Sequence, residues 1–263
     1  MRRILAFTCE GEQLLATLDG PADATIGWLF VVGGSQTRVG PHRLYERLAR
    51  HLAESGQAVI RFDRRGVGDS GGVDPGFADS GADIAAAAGA LRAACPQLRE
   101  IAGFGLCDGA SALVIHHRAA GIDRLILANP WLADAAGGLP PPAAIRRHYR
   151  DRLTNPADWR RLISGRVDYR RLARGLVRVG RKAPAPLAQR LATALKASNA
   201  PVTLLLAEGD ATAIGFADAW RKPPFTGIAA DVVSLPTAAH TFARAGDDAL
   251  LTKACLEALA TSY

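Results

Sequence analysis

Cys107 is the residue of this sequence best placed to act as a nucleophile. It is the centre of Gly105-Leu106-Cys107-Asp108-Gly109, which follows an apolar run of strand length, 101–106, and precedes a helical pattern over 108–120. A strand that turns sharply into a helix exposes the central side chain, and small flanking residues make that turn sterically possible. The positive end of the helix dipole favours a thiolate there. The pattern therefore predicts a reactive thiolate, although free cysteines are more often small buried apolar residues.

A histidine and a carboxylate follow the cysteine in the order that a catalytic triad of this kind requires. His240 comes after the last predicted strand and is the only histidine in the final hundred residues. Asp210 follows the preceding strand, where a carboxylate would orient the imidazole and stabilise its charged form. Glu208 is a competing acid, but Gly209 indicates that the chain is already turning, which favours Asp210. Enzymes whose nucleophile lies on a sharp turn between a strand and a helix have the same chain order of nucleophile, acid and histidine.

The loop after the first long apolar run could supply hydrogen-bond donors to a developing oxyanion. The predicted oxyanion hole combines the backbone N–H of Asp108 with that of Ser35 or Gly34, because glycine lets the backbone approach a ligand closely. Gln36 and His42 lie next along the chain and are the predicted substrate contacts. The plainer alternatives are a simple glycine turn and a histidine on a helix surface.

Apolar runs of strand length alternate with helical periodicity along most of the chain. A short hairpin, 3–9 and 12–19, comes first. The predicted strands are 28–32, 58–62, 101–106, 124–128, 201–207 and 231–235, and the predicted helices begin at Pro41 or cover 83–94, 108–120 and 247–261. This alternation predicts an α/β fold with a mostly parallel sheet flanked by helices on both faces.

The segment 131–199 interrupts the alternation and predicts a helical cap, inserted before the strand that carries Asp210. The core would then comprise 1–130 and 200–263. Between Arg146 and Lys196 there are fifteen basic and three acidic side chains, a net charge of +12, whereas the whole chain has a net charge of +7. Such a cap could bind an anionic substrate or contact a membrane surface peripherally, or it could be a solvated face. No nucleic-acid recognition motif accompanies the charge, so no nucleic-acid partner is expected.

Length, cysteine spacing and the start of the chain exclude several classes of protein. A chain of 263 residues is long enough to bury a core without disulfides or structural metals. Its four cysteines form no C-x-x-C pair, which argues against zinc or dithiol chemistry. The apolar run after Met1-Arg2-Arg3 is too short for a signal peptide, and no run is long enough to span a bilayer. We expect a cytoplasmic protein that needs no metal or organic cofactor.

Together these motifs resemble the α/β-hydrolase superfamily. The segment Asp63-Arg64-Arg65-Gly66-Val67-Gly68-Asp69-Ser70 is similar to the D-x-R-G-x-G-x-S pattern that follows the fourth strand of that superfamily. With Val32–Arg43 and Gly105–Ser111, it also resembles the type-1 hydrolases associated with the bacterial exosortase A system, which occur in exopolysaccharide gene clusters. A cysteine at the sharp strand-to-helix turn, called the nucleophile elbow, is usual in that group. The resemblance implies a hydrolase with Cys107 as its nucleophile, and it implies no particular substrate.

The residues and the resemblance together predict hydrolysis of an ester or thioester by a Cys107–His240–Asp210 triad. His240 would deprotonate Cys107 or hold it as an ion pair, and water would release the acyl group from the sulfur. Two alternatives remain open at this point. An acyltransferase could pass the same acyl group to an alcohol or sugar, and a binding or scaffolding component of an export system would catalyse nothing.

Overall fold

An eight-stranded sheet forms the centre of the protein. The computed structural model describes residues 1–34, 36–132 and 186–260. The strands are β1 (Arg2–Cys9), β2 (Glu12–Asp19), β3 (Ile26–Val31), β4 (Ala58–Phe62), β5 (Glu100–Leu106), β6 (Arg124–Ala128), β7 (Val202–Ala207) and β8 (Asp231–Leu235). Their order in the sheet is β1-β2-β4-β3-β5-β6-β7-β8. β2 pairs antiparallel with β1 and with β4, and the other neighbours are parallel, as predicted.

Helices cover both faces of the sheet. They are α1 (Leu44–Glu54), α2 (Gly81–Ala94), α3 (Asp108–Ala120), α4 (Pro186–Lys196), α5 (Ala211–Trp220) and α6 (Asp247–Ala260). One face packs α1 and α6, and the other packs α2, α3, α4 and α5. Parallel strands need such crossover helices, and the helices explain why the central strands are apolar on both sides. Because the strands are parallel, the loops after β3, β5, β6, β7 and β8 meet at one edge of the sheet.

Side-chain alternation along β3 divides the core into two layers. Leu29 and Val31 pack into the layer under α2 and α3, whereas Trp28 and Phe30 pack into the layer under α1 and α6. Phe30 also lies 5.0 Å from the ring centre of Phe104 on β5. Burial of these aromatic side chains contributes several kcal/mol of hydrophobic stabilisation, about 25 cal/mol for each Å² of apolar surface removed from water. The two layers hold the carboxyl ends of β3 and β5 side by side.

One sequence prediction differs from the structure, and another falls largely outside the described residues. A 3-10 turn covers Pro41–Arg43 and the α-helix starts only at Leu44, because His42 and Arg43 have left-handed φ angles of 39° and 65°. Helix α4 falls within the predicted cap, 131–199, and its apolar side chains pack into the core against α3. Residues 133–185 of that predicted cap lie outside the described residues. Among the helices that the structure describes, none has the length and apolarity needed to cross a membrane.

Candidate active site

Cys107 occupies a sharp turn between β5 and α3. Its φ and ψ angles are 60° and −126°, a conformation that costs a non-glycine residue roughly 1–3 kcal/mol. A Cβ on Gly105 would lie 2.7 Å from backbone atoms of Ala110, and a Cβ on Gly109 would lie 2.4 Å from the carbonyl oxygen of Val31. The glycines therefore let the turn and α3 sit directly against the sheet. The Cys107 side chain is partly exposed, whereas Cys9 and the other two cysteines are buried.

His240 lies beside Cys107 and is hydrogen-bonded to Asp210. The distance from His240 Nδ1 to Asp210 Oδ2 is 3.0 Å. Asp210 is only 7% exposed, and the same carboxylate oxygen caps α5 by accepting from the N–H of Ala213 at 2.9 Å. Glu208 is exposed. The histidine of the predicted triad is thus paired with Asp210 rather than with Glu208.

The surroundings of His240 stabilise its protonated form. The hydrogen bond to Asp210, followed by the hydrogen bond to Cys107, raises the pKa of His240 from 6.5 to about 10, against burial, which lowers it. An imidazolium that donates to a carboxylate on one side and contacts sulfur on the other matches a thiolate–imidazolium pair. The geometry brings together the three residues that the sequence analysis proposed as a triad.

The loop after β3 is held from two sides. The backbone N–H of Gly34 donates to both carboxylate oxygens of Asp108, at 2.8 and 3.0 Å. The guanidinium of Arg64 donates to the carbonyl oxygens of Val32, at 3.3 Å, and Gly34, at 2.6 Å. The Gly34 N–H that was a candidate oxyanion donor is therefore already bound to the Asp108 side chain. Ser35, the other candidate, lies outside the described residues.

The Asp63–Ser70 segment stabilises the loop after β3 and supplies none of the three residues of the predicted triad. Asp63 is 1% exposed and accepts from the backbone N–H of Arg38 at 2.5 Å, and it also forms an ion pair with the Arg38 guanidinium. A Cβ on Gly68 would lie 2.4 Å from the Asp63 carboxylate. Ser70 donates to the Asp63 carbonyl oxygen at 2.8 Å and closes the turn. The motif thus ties the start and the end of the loop, through Arg64 and Asp63, to the end of β4.

The two predicted substrate contacts have different surroundings. Gln36 is exposed in the loop after β3. His42 Nε2 lies 2.8 Å from the carbonyl oxygen of Thr241, the residue after His240, and its Nδ1 lies 3.0 Å from a guanidinium nitrogen of Arg47. A guanidinium can only donate, so Nδ1 of His42 accepts and Nε2 carries the proton given to Thr241. His42 therefore contacts the loop that carries His240, and a contact with substrate stays a prediction.

Asn129 was not singled out in the sequence analysis. It directly follows β6, is 0% exposed and donates from Nδ2 to the carbonyl oxygen of His240 at 2.8 Å. The signal in the sequence was a lone amide after an apolar strand, at the edge where the functional loops converge. No group of three or more metal-ligating side chains occurs within the described ranges, 1–34, 36–132 and 186–260.

Comparison with known proteins places this site in a family. The model of the family described as "Serine aminopeptidase, S33" matches residues 38–194, more than half of the chain. The chain belongs to this family of α/β hydrolases. The match includes the elbow, where the hydrolase has Cys107 although the family is named for a serine enzyme. Comparison with curated proteins gives no match.

Solved structures agree with the fold of the hydrolase. It is similar to an esterase of Pyrococcus furiosus, with 14% identity, a TM-score of 0.62 and coverage of 98% of this chain and 92% of that chain. A dienelactone hydrolase of Anabaena variabilis is 15% identical, with a TM-score of 0.64 and coverage of 99% and 97%. An α/β serine hydrolase without a lid, from Xanthomonas campestris, is 18% identical, with a TM-score of 0.60 and coverage of 98% and 94%. At these identities the similarity establishes the fold alone.

Proposed function

We propose that this hydrolase cleaves carboxylic ester or thioester bonds with Cys107 as its nucleophile. The observation that carries the proposal is the placement of Cys107 on a strained elbow beside a histidine that is hydrogen-bonded to a buried carboxylate. A merely structural cysteine requires neither the strained backbone nor the His240–Asp210 pair. Membership of a hydrolase family supports the same reaction class.

The proposed reaction has two halves. The Cys107 thiolate attacks the acyl carbon, and His240 gives its proton to the leaving oxygen or sulfur as that bond breaks. His240 then takes a proton from water, which attacks the acyl–sulfur bond and releases the carboxylic acid and the free Cys107. The backbone N–H of Asp108, at the start of α3, is the proposed donor to the oxyanion. Because Gly34 already donates to Asp108, the loop's own oxyanion donor in this scheme is Ser35.

The substrate's chemical class remains a proposal from the sequence. The arginine-rich segment predicts an anionic acyl substrate or a peripheral membrane contact, and most of that segment lies outside the described residues. A cytoplasmic location and a link to exosortase-associated exopolysaccharide metabolism are supported by the sequence features and the resemblance given above. Transfer of the acyl group to an alcohol acceptor would appear as an ester product when alcohols are added to the assay.

The deciding experiment is alkylation of Cys107 by iodoacetamide, followed by peptide mass spectrometry. We expect fast alkylation near pH ~6.5, well below the usual thiol range of about 8.5, with Cys9 and Cys255 unmodified in the folded protein. His240→Ala should remove the reactivity at low pH, whereas His51→Ala, in α1, should leave it unchanged. A wild-type Cys107 that reacts only above about pH 8.5 would reject the proposed nucleophile. Hydrolysis of p-nitrophenyl esters and acyl thioesters, lost in Cys107→Ala, would then identify the bond cleaved.

A further inference from the structure

The residues at the end of β6 form hydrogen bonds with the backbone of three elements: the elbow of Cys107, the loop of His240 and the strand β7 that precedes Asp210. Asn129 is fully buried and has a φ angle of 41°. This left-handed region is adopted by asparagine and aspartate far more readily than by other non-glycine residues. The backbone therefore demands one of a few residue types at this position, and the structure uses both ends of the side-chain amide.

The Asn129 amide connects the loop of the histidine to the strand of the acid. Its Oδ1 accepts from the backbone N–H of Ala207 at 2.9 Å, and its Nδ2 donates to the carbonyl oxygen of His240 at 2.8 Å. Ala207 is the last residue of β7 and lies three positions before Asp210. One rigid side chain thus sets the distance between the backbone of His240 and the strand that delivers its carboxylate partner. Its own N–H donates to Leu205 at 3.0 Å, which anchors Asn129 to the same strand.

The residues on either side of Asn129 hold the elbow. The N–H of Cys107 donates to the carbonyl oxygen of Ala128 at 3.0 Å, and the N–H of Trp131 donates to the carbonyl oxygen of Cys107 at 3.2 Å. Ser111 on α3 donates to the carbonyl oxygen of Trp131 at 2.6 Å. Both backbone groups of the nucleophile are therefore bonded to the four-residue stretch that contains Asn129.

We propose that Asn129 is a positioning residue for His240, and that its Nδ2–H···O=C bond holds the imidazole within reach of both Cys107 and Asp210. This inference deepens the proposed function and rests on it. The amide acts only through the backbone of His240. Without the Nδ2 donor, the carbonyl oxygen of His240 is left without this partner and the loop after β8 shifts. The imidazole then loses its alignment with the sulfur, and a displacement of this kind lowers reactivity more than it lowers binding.

The test is Asn129→Asp with Asn199→Asp as its matched control. Aspartate keeps the left-handed backbone and the acceptor for Ala207, but it replaces the donor facing His240 with a carboxylate oxygen. Asn199 is exposed, before the start of β7 and far from the elbow, so the control makes the same chemical change without touching the site. The readouts are the rate of Cys107 alkylation near pH ~6.5 and the hydrogen-bonded Nδ1–H proton resonance of His240, with kcat and KM for any ester that wild type cleaves.

We expect Asn129→Asp to slow alkylation roughly tenfold, to weaken or shift the Nδ1–H resonance, and to lower kcat with KM nearly unchanged. Asn199→Asp should behave as wild type. A folded Asn129→Asp protein with unchanged alkylation rate and resonance would overturn the inference while leaving the nucleophile intact. An unreactive Cys107 in wild type would instead mark failure of the proposed function. If Asn129→Asp does not fold, Asn129→Gly, which suits the same φ and removes both amide contacts, supplies the same two readouts.

Discussion

At the residue scale, the pairing of His240 with Asp210 should set the alkaline limit of the proposed activity. Because the pKa of His240 is raised to about 10, with the Asp210 hydrogen bond as the largest cause, the imidazolium that would protonate the leaving group in the proposed reaction persists up to that pH. Asp210→Asn removes the negative charge but keeps an oxygen to cap α5. The pKa of His240 should then fall, and the alkaline limb of kcat/KM should move down by about 2 pH units.

The measurement is a pH–rate profile of kcat/KM alongside a histidine NMR titration. Asp218→Asn is the matched control, because Asp218 lies on the same helix, α5, in an exposed ion pair with Lys222. Cys107 alkylation serves as a second comparison, since it needs no proton donor and should show no fall on the alkaline side. An Asp210→Asn profile that coincides with wild type would show that another group sets the limit.

Asp108 gives a second prediction at the residue scale. Its carboxylate accepts a hydrogen bond from the backbone N–H of Gly34, and the Arg64 guanidinium donates to the Gly34 carbonyl oxygen. These two side chains together restrain the loop after β3. Asp108→Ala removes one of the two restraints on that loop, and kcat/KM should fall about tenfold, the value of one charge-assisted hydrogen bond. Asp108→Asn retains an acceptor and should lose much less. Ester-hydrolysis kinetics on both variants check this, and a gain of activity in Asp108→Ala would show instead that the carboxylate blocks the Gly34 donor.

At the scale of elements, the contact between α3 and β3 depends on Gly109. A Cβ at that position would meet the backbone of Val31 and Gly33 at 2.4 and 2.9 Å, and backbone atoms cannot rotate away. Gly109→Ala should therefore destabilise the protein by about 1–3 kcal/mol, a typical cost of overpacking, and slow Cys107 alkylation as the elbow shifts. Gly89→Ala is the matched control. Gly89 is exposed on α2 with nothing near its Cβ position, and alanine there should stabilise by about 0.5–1 kcal/mol.

Urea unfolding of the two variants beside wild type measures both effects. Similar midpoints for Gly109→Ala and wild type would mean that α3 can move away from the sheet at little cost. The pair of variants therefore separates crowding at the elbow from the general preference of helices for alanine over glycine.

The elements also show what a sequence can reveal. Strands β4, β6 and β8 and helix α3 were predicted with the bounds that the structure has, because apolar runs and a glycine-flanked turn are local signals. The meeting of Cys107, Asp210 and His240 followed from the common edge of parallel strands. The roles of Asn129 and Arg64 could not be predicted, since each depends on which carbonyl oxygen lies opposite after folding. The bounds of the cap, 131–199, stay a prediction, since most of that segment lies outside the described residues.

At the scale of the whole molecule, buried ionisable groups predict a loss of stability in alkali. Burial, with a hydrogen bond to Asp83, raises the pKa of Cys9 from 9.0 to about 12, and burial also raises the pKa of Cys95 and Cys255. Each folded thiol stays neutral where the unfolded thiol ionises. The contribution of each neutral buried thiol to the free energy of unfolding is complete below pH 9.0, and it is lost as the pH rises toward the pKa of the thiol in the folded protein. His240 acts in the same direction from 6.5 to about 10.

We therefore expect the free energy of unfolding to fall from about pH 6.5 because of His240, and to fall more steeply above about pH 9, where each buried thiol adds about 1.4 kcal/mol per pH unit. Cys255→Ala isolates one of them, because Cys255 is fully buried in the layer under α6. The variant should be about 1 kcal/mol less stable near pH ~7, where it leaves a small cavity, but its stability should decline less steeply in alkali. Urea unfolding near pH ~7, ~9 and ~10.5 measures both slopes. Parallel slopes for the variant and wild type would mean that the Cys255 thiol ionises equally in the folded and unfolded chains.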